Sequence, residues 1–329
     1  MIPNRFHPPS RRSALFGLAA LFCASAAFAQ AWPSRAITLI VPFPAGGFAD
    51  NVTRPIAQEM SRSLGQQVIV DNRAGAGGKI GTEAIRRAPK DGYTIGLAVP
   101  ATMSILPLVD PGFTNDPLRD FTPISLAVET YSTIVVNPSL KVRTLAEFIA
   151  YAKANPGKIA YGTPGAATSY HFHTGMFLDA AGIDALHVPY KGEAPAVTDL
   201  VSGQIQFMLV AGGAKQHIDG GRLVALATTG PKRWSVLPDT PTTAEAGLPA
   251  FQTLGWLGYI GPAGMPPDVV ARLNAAFTAA LKAPDVQQVL GTSGYMIRGG
   301  SPDDLAKAIR SDLDRFGKAL KSGKIKLDK

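Results

Sequence analysis

Ile37-Thr38-Leu39-Ile40-Val41 runs directly into Pro42-Phe43-Pro44-Ala45-Gly46-Gly47-Phe48-Ala49-Asp50. The first five residues do not alternate between apolar and polar, which predicts a strand buried on both faces, as in a parallel sheet. Asp50 to Leu64 places Val52, Ile56, Met60 and Leu64 roughly on one stripe and predicts a helix. The loop between them therefore lies at the carboxyl edge of a sheet, where open α/β sheets bind ligands. Gly46 and Gly47 allow the backbone to approach an anion closely, and the amides of the following helix point toward it. A plain tight turn is the competing reading. Asp50 falls where a helix N-cap belongs, so its side chain is expected to satisfy backbone amides.

The pattern continues outward from this unit. Strands are expected at Gln67 to Asp71 and Tyr93 to Val99, with a helix from Gly78 to Arg87 between them. The alternation then recurs as strand 158–162, helix 169–181, strand 185–190, helix 193–202 and strands 206–210 and 223–228, the pattern of βαβ units. Two segments break the rhythm: Phe121 to Asn137, long and β-rich, and Thr253 to Gly261, an isolated apolar strand. Two such connectors are what a chain needs to leave one lobe, build another and return. The expected fold class is therefore α/β, two parallel-sheet lobes joined by a two-strand hinge. Lobe 1 is expected at 30–128 and 254–329, and lobe 2 at 129–253. Helices 267–282 and 302–321, amphipathic with outward charge, are read as packing elements that complete the first lobe.

Composition narrows the function. Arg5, Arg11 and Arg12, the uncharged apolar run Ala14 to Ala27 and the small-x-small Ala27-Phe28-Ala29 predict a signal peptide over 1–29, cleaved near Ala29/Gln30. Cys23, the single cysteine, would leave with it, so no disulfide, thiol nucleophile or cysteine metal site is expected in the mature chain. Of 32 basic residues three lie in that leader, and the remaining 29 against 24 acidic ones leave a balance of +5. That excess favours anionic small ligands, or simply aids solubility. No basic run with interleaved aromatics argues for nucleic acid.

A second loop resembles the first: Tyr161-Gly162-Thr163-Pro164-Gly165-Ala166-Ala167-Thr168-Ser169 also joins a strand to a helix, with hydroxyls at Thr163, Thr168 and Ser169. Ser169 is the candidate cap. Two glycine-bearing loops, one per lobe, suggest a cleft in which a carboxylate meets amides from both sides. Ala74-Gly75-Ala76-Gly77-Gly78-Lys79-Ile80-Gly81 does not fit a dinucleotide fingerprint, and Ile80 stands where a P-loop needs Ser or Thr. It is read as a glycine turn shaping the cleft. His171 and His173 are two apart and face different sides of one helix, which excludes chelation as an i, i+4 pair. His187 and His217 are read as structural. No nucleophile elbow or carboxylate pair stands out; no catalytic residue, metal or cofactor is expected. Val188-Pro189-Tyr190-Lys191-Gly192 ends a strand, where the Tyr190 ring could lie along a ligand and Lys191 attract a carboxylate.

Trp32-Pro33-Ser34-Arg35, the loop 42–47 with Asp50, Asn72-Arg73-Ala74-Gly75-Ala76-Gly77-Gly78, Asp91-Gly92-Tyr93-Thr94, Val188-Pro189-Tyr190-Lys191-Gly192, Leu237-Pro238-Asp239-Thr240-Pro241-Thr242 and Gly261-Pro262-Ala263-Gly264 resemble, in order over the mature chain, the substrate-binding proteins of tripartite tricarboxylate transporters, the Bug family. The resemblance implies a type II-like periplasmic-binding-protein fold that closes on a small organic carboxylate. It also implies delivery of that acid to a permease of one large and one small integral-membrane subunit. A monomer is the expected state. Carried over by position, the ligand contacts are Phe43, Ala45, Gly46, Gly47 and Asp50 in lobe 1, and Thr163, Thr168, Ser169, His171 and Tyr190 in lobe 2. After Gln206-Phe207-Met208 the family often carries a polar residue, whereas this chain reads Leu209-Val210-Ala211. Val210 in the cleft would favour a ligand with an apolar or aromatic body. The rival readings are a periplasmic sensor on the same scaffold, and a hydrolase suggested by Ser169 near His171.

Overall fold

In the computed structural model, residues 32–211, 214–323 and 325 are described. The expected leader and Cys23 lie outside them. Strand β1 (Ile37–Val41) is followed by helix α1 (Phe48–Leu64), β2 (Val68–Asn72), α2 (Lys79–Arg86) and β3 (Thr94–Ala98). A π-helical turn at Ala101–Ile105 runs into the short α3 (Leu106–Val109), and β4 (Phe121–Thr130) comes next. Then follow β5 (Thr133–Val136), α4 (Leu145–Ala154), β6 (Ala160–Thr163), α5 (Ser169–Ala181), β7 (Leu186–Pro189) and α6 (Glu193–Ser202). The chain continues through β8 (Phe207–Val210), α7 (Lys215–Asp219), β9 (Val224–Thr228) and β10 (Gly255–Pro262). It finishes with α8 (Pro267–Lys282), α9 (Pro284–Thr292), β11 (Met296–Ile297) and α10 (Pro302–Lys321).

These strands build two sheets, ordered β11-β4-β10-β3-β1-β2 and β7-β6-β8-β5-β9. The neighbours β2, β1 and β3 are mutually parallel, as are β7, β6 and β8. The sheets are mixed, not parallel throughout as the sequence pattern suggested. β10 runs antiparallel to β3 and β4, and β5 antiparallel to β8 and β9. The physical reason is the crossing: a strand arriving from the other sheet enters from the hinge end, opposite to the βαβ strands beside it.

β1 is buried on both faces, as its lack of alternation requires. Leu39 and Val41 share a core with α1 and α8 through Val52, Ile56, Met60, Leu273 and Phe277, while Ile40 joins Ile85, Trp256, Leu305 and Ile309 on the other face. The second sheet is covered by α4 and α5 through Phe148 and Phe177, and on its reverse by α6 through Leu200 with Ile205 and Met208. Four helices were not read from the sequence, the short α3 and α7 and the longer α4 and α9. α4 starts with a capping box, Thr144 and Glu147 each bonding the other's backbone, and α9 begins with Pro284 at its first position.

The long β-rich segment 121–137 is two strands in two sheets, with Tyr131 and Ser132 as the whole connection. Where the chain crosses back, Thr229 N–H donates to Ser132 O at 2.8 Å and Thr229 Oγ1 to Thr253 O at 2.7 Å, and Thr229 Oγ1 accepts Ser132 N–H at 3.0 Å. All three residues are buried. Helix α10 does more than complete the first sheet's cover: Phe316 meets Phe172 of α5 edge-on at 5.3 Å, in a cluster with Ile105, Ala319 and Ile325.

Candidate functional site

The carboxyl ends of the parallel strands in both sheets carry the glycine-bearing loops, and side chains from both sheets meet at one cavity of about 360 Å³. Phe48, the first residue of α1, and Thr292, Ser293 and Tyr295 from the α9–β11 turn form one side. Glu193 at the start of α6, Ala211 after β8 and Lys215 at the start of α7 form the other, with Thr130 at the hinge and Val236 completing the lining. Phe48 and Tyr295 pack edge-on, ring centroids 5.1 Å apart.

The loop beside Phe48 is held open by a buried carboxylate. α1 begins two residues earlier than expected, so Gly47 is its N-cap, and Asp50 is the third helical residue. Asp50 is 2% exposed; its Oδ2 accepts Gly46 N–H at 2.8 Å and Arg54 Nε–H at 2.7 Å, and its Oδ1 accepts Asn72 Nδ2 at 2.9 Å. Asn72 also donates to Phe43 O at 3.1 Å. Burial by itself raises a carboxyl pKa, but here the Arg54, Gly46 and Asn72 bonds outweigh it and hold Asp50 below its usual range. Both carboxylate oxygens are thus spent on the protein. Asp50 satisfies an amide, as expected, yet from inside the helix and not as the cap; the structure gives its side chain a scaffold role. Gly46 adopts φ +76°, the left-handed conformation that costs a Cβ-bearing residue free energy. The exposed Ala45, Gly46 and Gly47 and the unpaired first-turn amides of Phe48 and Ala49 are what this loop can offer an anion.

The turn at 75–78 shapes the loop from behind. Phe43 is half-buried, with its ring in contact distance of Gly78, and Gly81 of α2 packs backbone to backbone: a Cβ there would lie 2.7 Å from Pro42 Cα and 2.8 Å from Arg73 O. Lys79, the residue that invited a phosphate reading, pairs with Asp110 at 3.0 Å. Gly81→Ala is expected to cost about 1–3 kcal/mol of stability by overpacking and to displace the loop; a chemical-denaturation midpoint equal to that of the parent would refute the contact.

In the second loop Thr168, not Ser169, caps α5, accepting the His171 N–H and donating to Gly165 O at 2.8 Å. Ser169 becomes the first helical residue, half-buried, because the cap position needs the extended backbone that Thr168 adopts. Thr163 is buried; its hydroxyl donates to Gly165 O at 3.0 Å and bonds His187 Nε2 at 2.7 Å. His171 is fully buried, stacked on His187 at 3.9 Å, and its Nδ1 accepts Ala167 N–H. Histidines read separately in sequence therefore form one stack beneath the loop. Ala167 holds φ +56°, an uncommon conformation for a residue with a Cβ. Tyr190 donates its hydroxyl to Asp199 at 2.8 Å, within the second lobe, and burial followed by the Asp199 charge pushes that phenol up to about 12.

None of the ten residues assigned by position is among those that line the cavity, and the side chains of Asp50, Thr163, Thr168, His171 and Tyr190 are committed to hydrogen bonds within the protein. Val210 is fully buried among Val135, Leu200 and Met208 on the reverse of the second sheet. It faces away from the cavity, so the ligand preference drawn from it loses its basis; Ala211 is the neighbour that reaches the lining. Sequence reasoning missed Phe48, Glu193, Lys215 and Tyr295. Phe48, an apolar residue 42% exposed at a helix start, was legible within the first loop. Tyr295 was not, because nothing local links it to residue 48.

Among the described residues no helix is long and apolar enough to cross a membrane. The family model for tripartite tricarboxylate transporter family receptors matches residues 52–325. A protein encoded in the tcbD-tcbE intergenic region of Pseudomonas sp. (strain P51) is 41% identical over 320 residues, covering 94% of each chain. Among solved structures, Rpa4515 of R. palustris with adipate is similar at 34% identity and TM-score 0.78, over 88% of this chain and 97% of that one. MatC (Rpa3494) from Rhodopseudomonas palustris with bound malate is similar at 30% identity and TM-score 0.76, over 88% and 100%. With two sheets, a two-strand crossing and a cavity where their loops meet, the chain belongs to the tripartite tricarboxylate transporter receptor family of periplasmic binding proteins.

Proposed function

We propose that the protein, exported and freed of residues 1–29, captures a small organic carboxylate in the cleft between its lobes and presents it to an integral-membrane permease without chemical turnover. The observation that carries this reading is the cavity lined from both sheets at the starts of α1, α6 and α7. Helix starts and glycine loops supply N–H donors, and a carboxylate leaves water only where its lone pairs find such donors. The solved relatives bound to adipate and malate support the ligand class. Buried His171, stacked on His187, supports a scaffold and not a general base for Ser169. Lobe closure about the Ser132–Thr229–Thr253 crossing would create the surface the permease reads.

A thermal-shift screen of the mature chain against mono- and dicarboxylates tests the proposal. A cognate acid at 100 times its dissociation constant should add about 2.7 kcal/mol to stability. A panel in which no acid raises the melting temperature would sink it.

A further inference from the structure

An acid lining a cleft meant for anions demands a reason. Glu193 Oε1 is buried and, among the described residues, has no hydrogen-bond partner; the carboxylate accepts only the Ala211 backbone N–H. The cation in the lining, Lys215, is already held by both oxygens of Asp219 at 2.9 and 2.7 Å. Burial raises the pKa of Glu193, and among the described residues only the Ala211 N–H bond works against it. The tyrosines around it register its charge: Tyr170 and Tyr295 are both raised, by burial first and then by Glu193. An uncompensated carboxylate here is costly in the empty cleft and would repel a second carboxylate of a ligand.

Its surroundings suit one partner. Phe48 and Tyr295 line the same cavity as Glu193, and a carboxylate sharing a cavity with aromatic rings can bind an ammonium group by ion pairing and by attraction to the ring quadrupole. A neutral hydroxyl would supply a hydrogen bond but leave the charge unpaired. We propose that the cleft takes a zwitterion, a small acid whose carboxylate rests on the glycine-loop amides and whose cationic nitrogen rests on Glu193 Oε1 beside Phe48 and Tyr295. The assignment rests on the reading of the cleft as a carboxylate receptor and adds to it the second end of the ligand.

Calorimetry on the mature chain with length-matched pairs tests it: 4-aminobutyrate against succinate, 6-aminohexanoate against adipate, and a trimethylammonio acid of each length. The expected result is that at least one amino or trimethylammonio acid binds 10-fold or more tightly than its dicarboxylate counterpart. Glu193→Gln, which keeps shape and loses charge, should erase that preference, and Glu193→Ser should do the same, with melting curves of both variants confirming the fold. Dicarboxylates bound more tightly at every length would overturn this inference and leave carboxylate capture standing. So would a preference for the amino acids that survives in both variants. Heat from neither series would overturn capture and this inference together.

Discussion

Asp50→Ala is expected to weaken ligand binding at least 100-fold, although Asp50 itself need touch no ligand. Its carboxylate braces the loop from behind: it fixes Gly46 through the amide, Asn72 through the side-chain amide and Arg54 through the guanidinium. Asn72 in turn fixes the Phe43 carbonyl. Removing the acid lets Gly46 leave its left-handed conformation and returns the loop to many states, so the donors lose their alignment. The loss of stability should be smaller, about 2 kcal/mol, because Gly46 and Arg54 are exposed enough to regain water. Calorimetry with whichever acid shifts the melting temperature most would read the first effect and denaturant unfolding the second. Binding left intact in Asp50→Ala would show that the loop stands without it.

The same group carries a pH signature. Its folded-state pKa lies below the ordinary value. The stability it contributes is therefore fully present above the unfolded value near 4 and is lost as pH falls through the folded value. The difference in unfolding free energy between the parent and Asp50→Asn should shrink as the solution is acidified below about pH 4. A difference that is constant over that range would mean that the ionised form has no advantage.

The Asp50 network also marks how far the residues alone could be read. Period and glycine placement located β1 and the starts and ends of α5, α6, α8 and α10, because each is governed by contacts near in sequence. They put both glycine loops at the carboxyl edges of their sheets for the same reason: a loop that follows a buried strand and precedes a helix lies there. Side-chain direction was not legible. Whether Asp50 points at ligand or at Asn72, whether Thr163 meets solvent or His187, and whether Val210 or Ala211 reaches the cavity depend on strand register and helix start, and a shift of one residue inverts the answer. The mixed strand order was hidden for a related reason, since direction across the hinge is set by which end of the sheet the chain enters. Glu193 escaped attention because an acid in the first turn of a helix is ordinarily explained by the helix dipole alone.

Trp234→Ala should be the most destabilising single change near the hinge, costing about 3–5 kcal/mol. Trp234 is 1% exposed and reached only after the chain has left the second sheet at β9, yet it donates Nε1–H at 2.7 Å to Gly294 O, in the turn before β11 of the first sheet. It also packs against Tyr131, one of the two residues joining β4 to β5, at 6.2 Å between rings. Gly294 sits at φ +80°, and a Cβ on it would come within 2.6 Å of the indole, so the turn has been cut to fit this ring. One side chain therefore ties the returning segment, the outgoing crossing and the turn that carries Tyr295 into the cleft. Truncation leaves a void and an unpaired carbonyl, and it frees Tyr295 to shift with its turn. Trp234→Phe keeps most of the apolar bulk and loses only the donor, so about 1–2 kcal/mol is expected. Denaturant unfolding of the two variants should give that order, with weaker ligand binding accompanying the larger loss. Equal stabilities for Trp234→Ala and the parent would show that the crossing holds its geometry by the Ser132, Thr229 and Thr253 bonds alone.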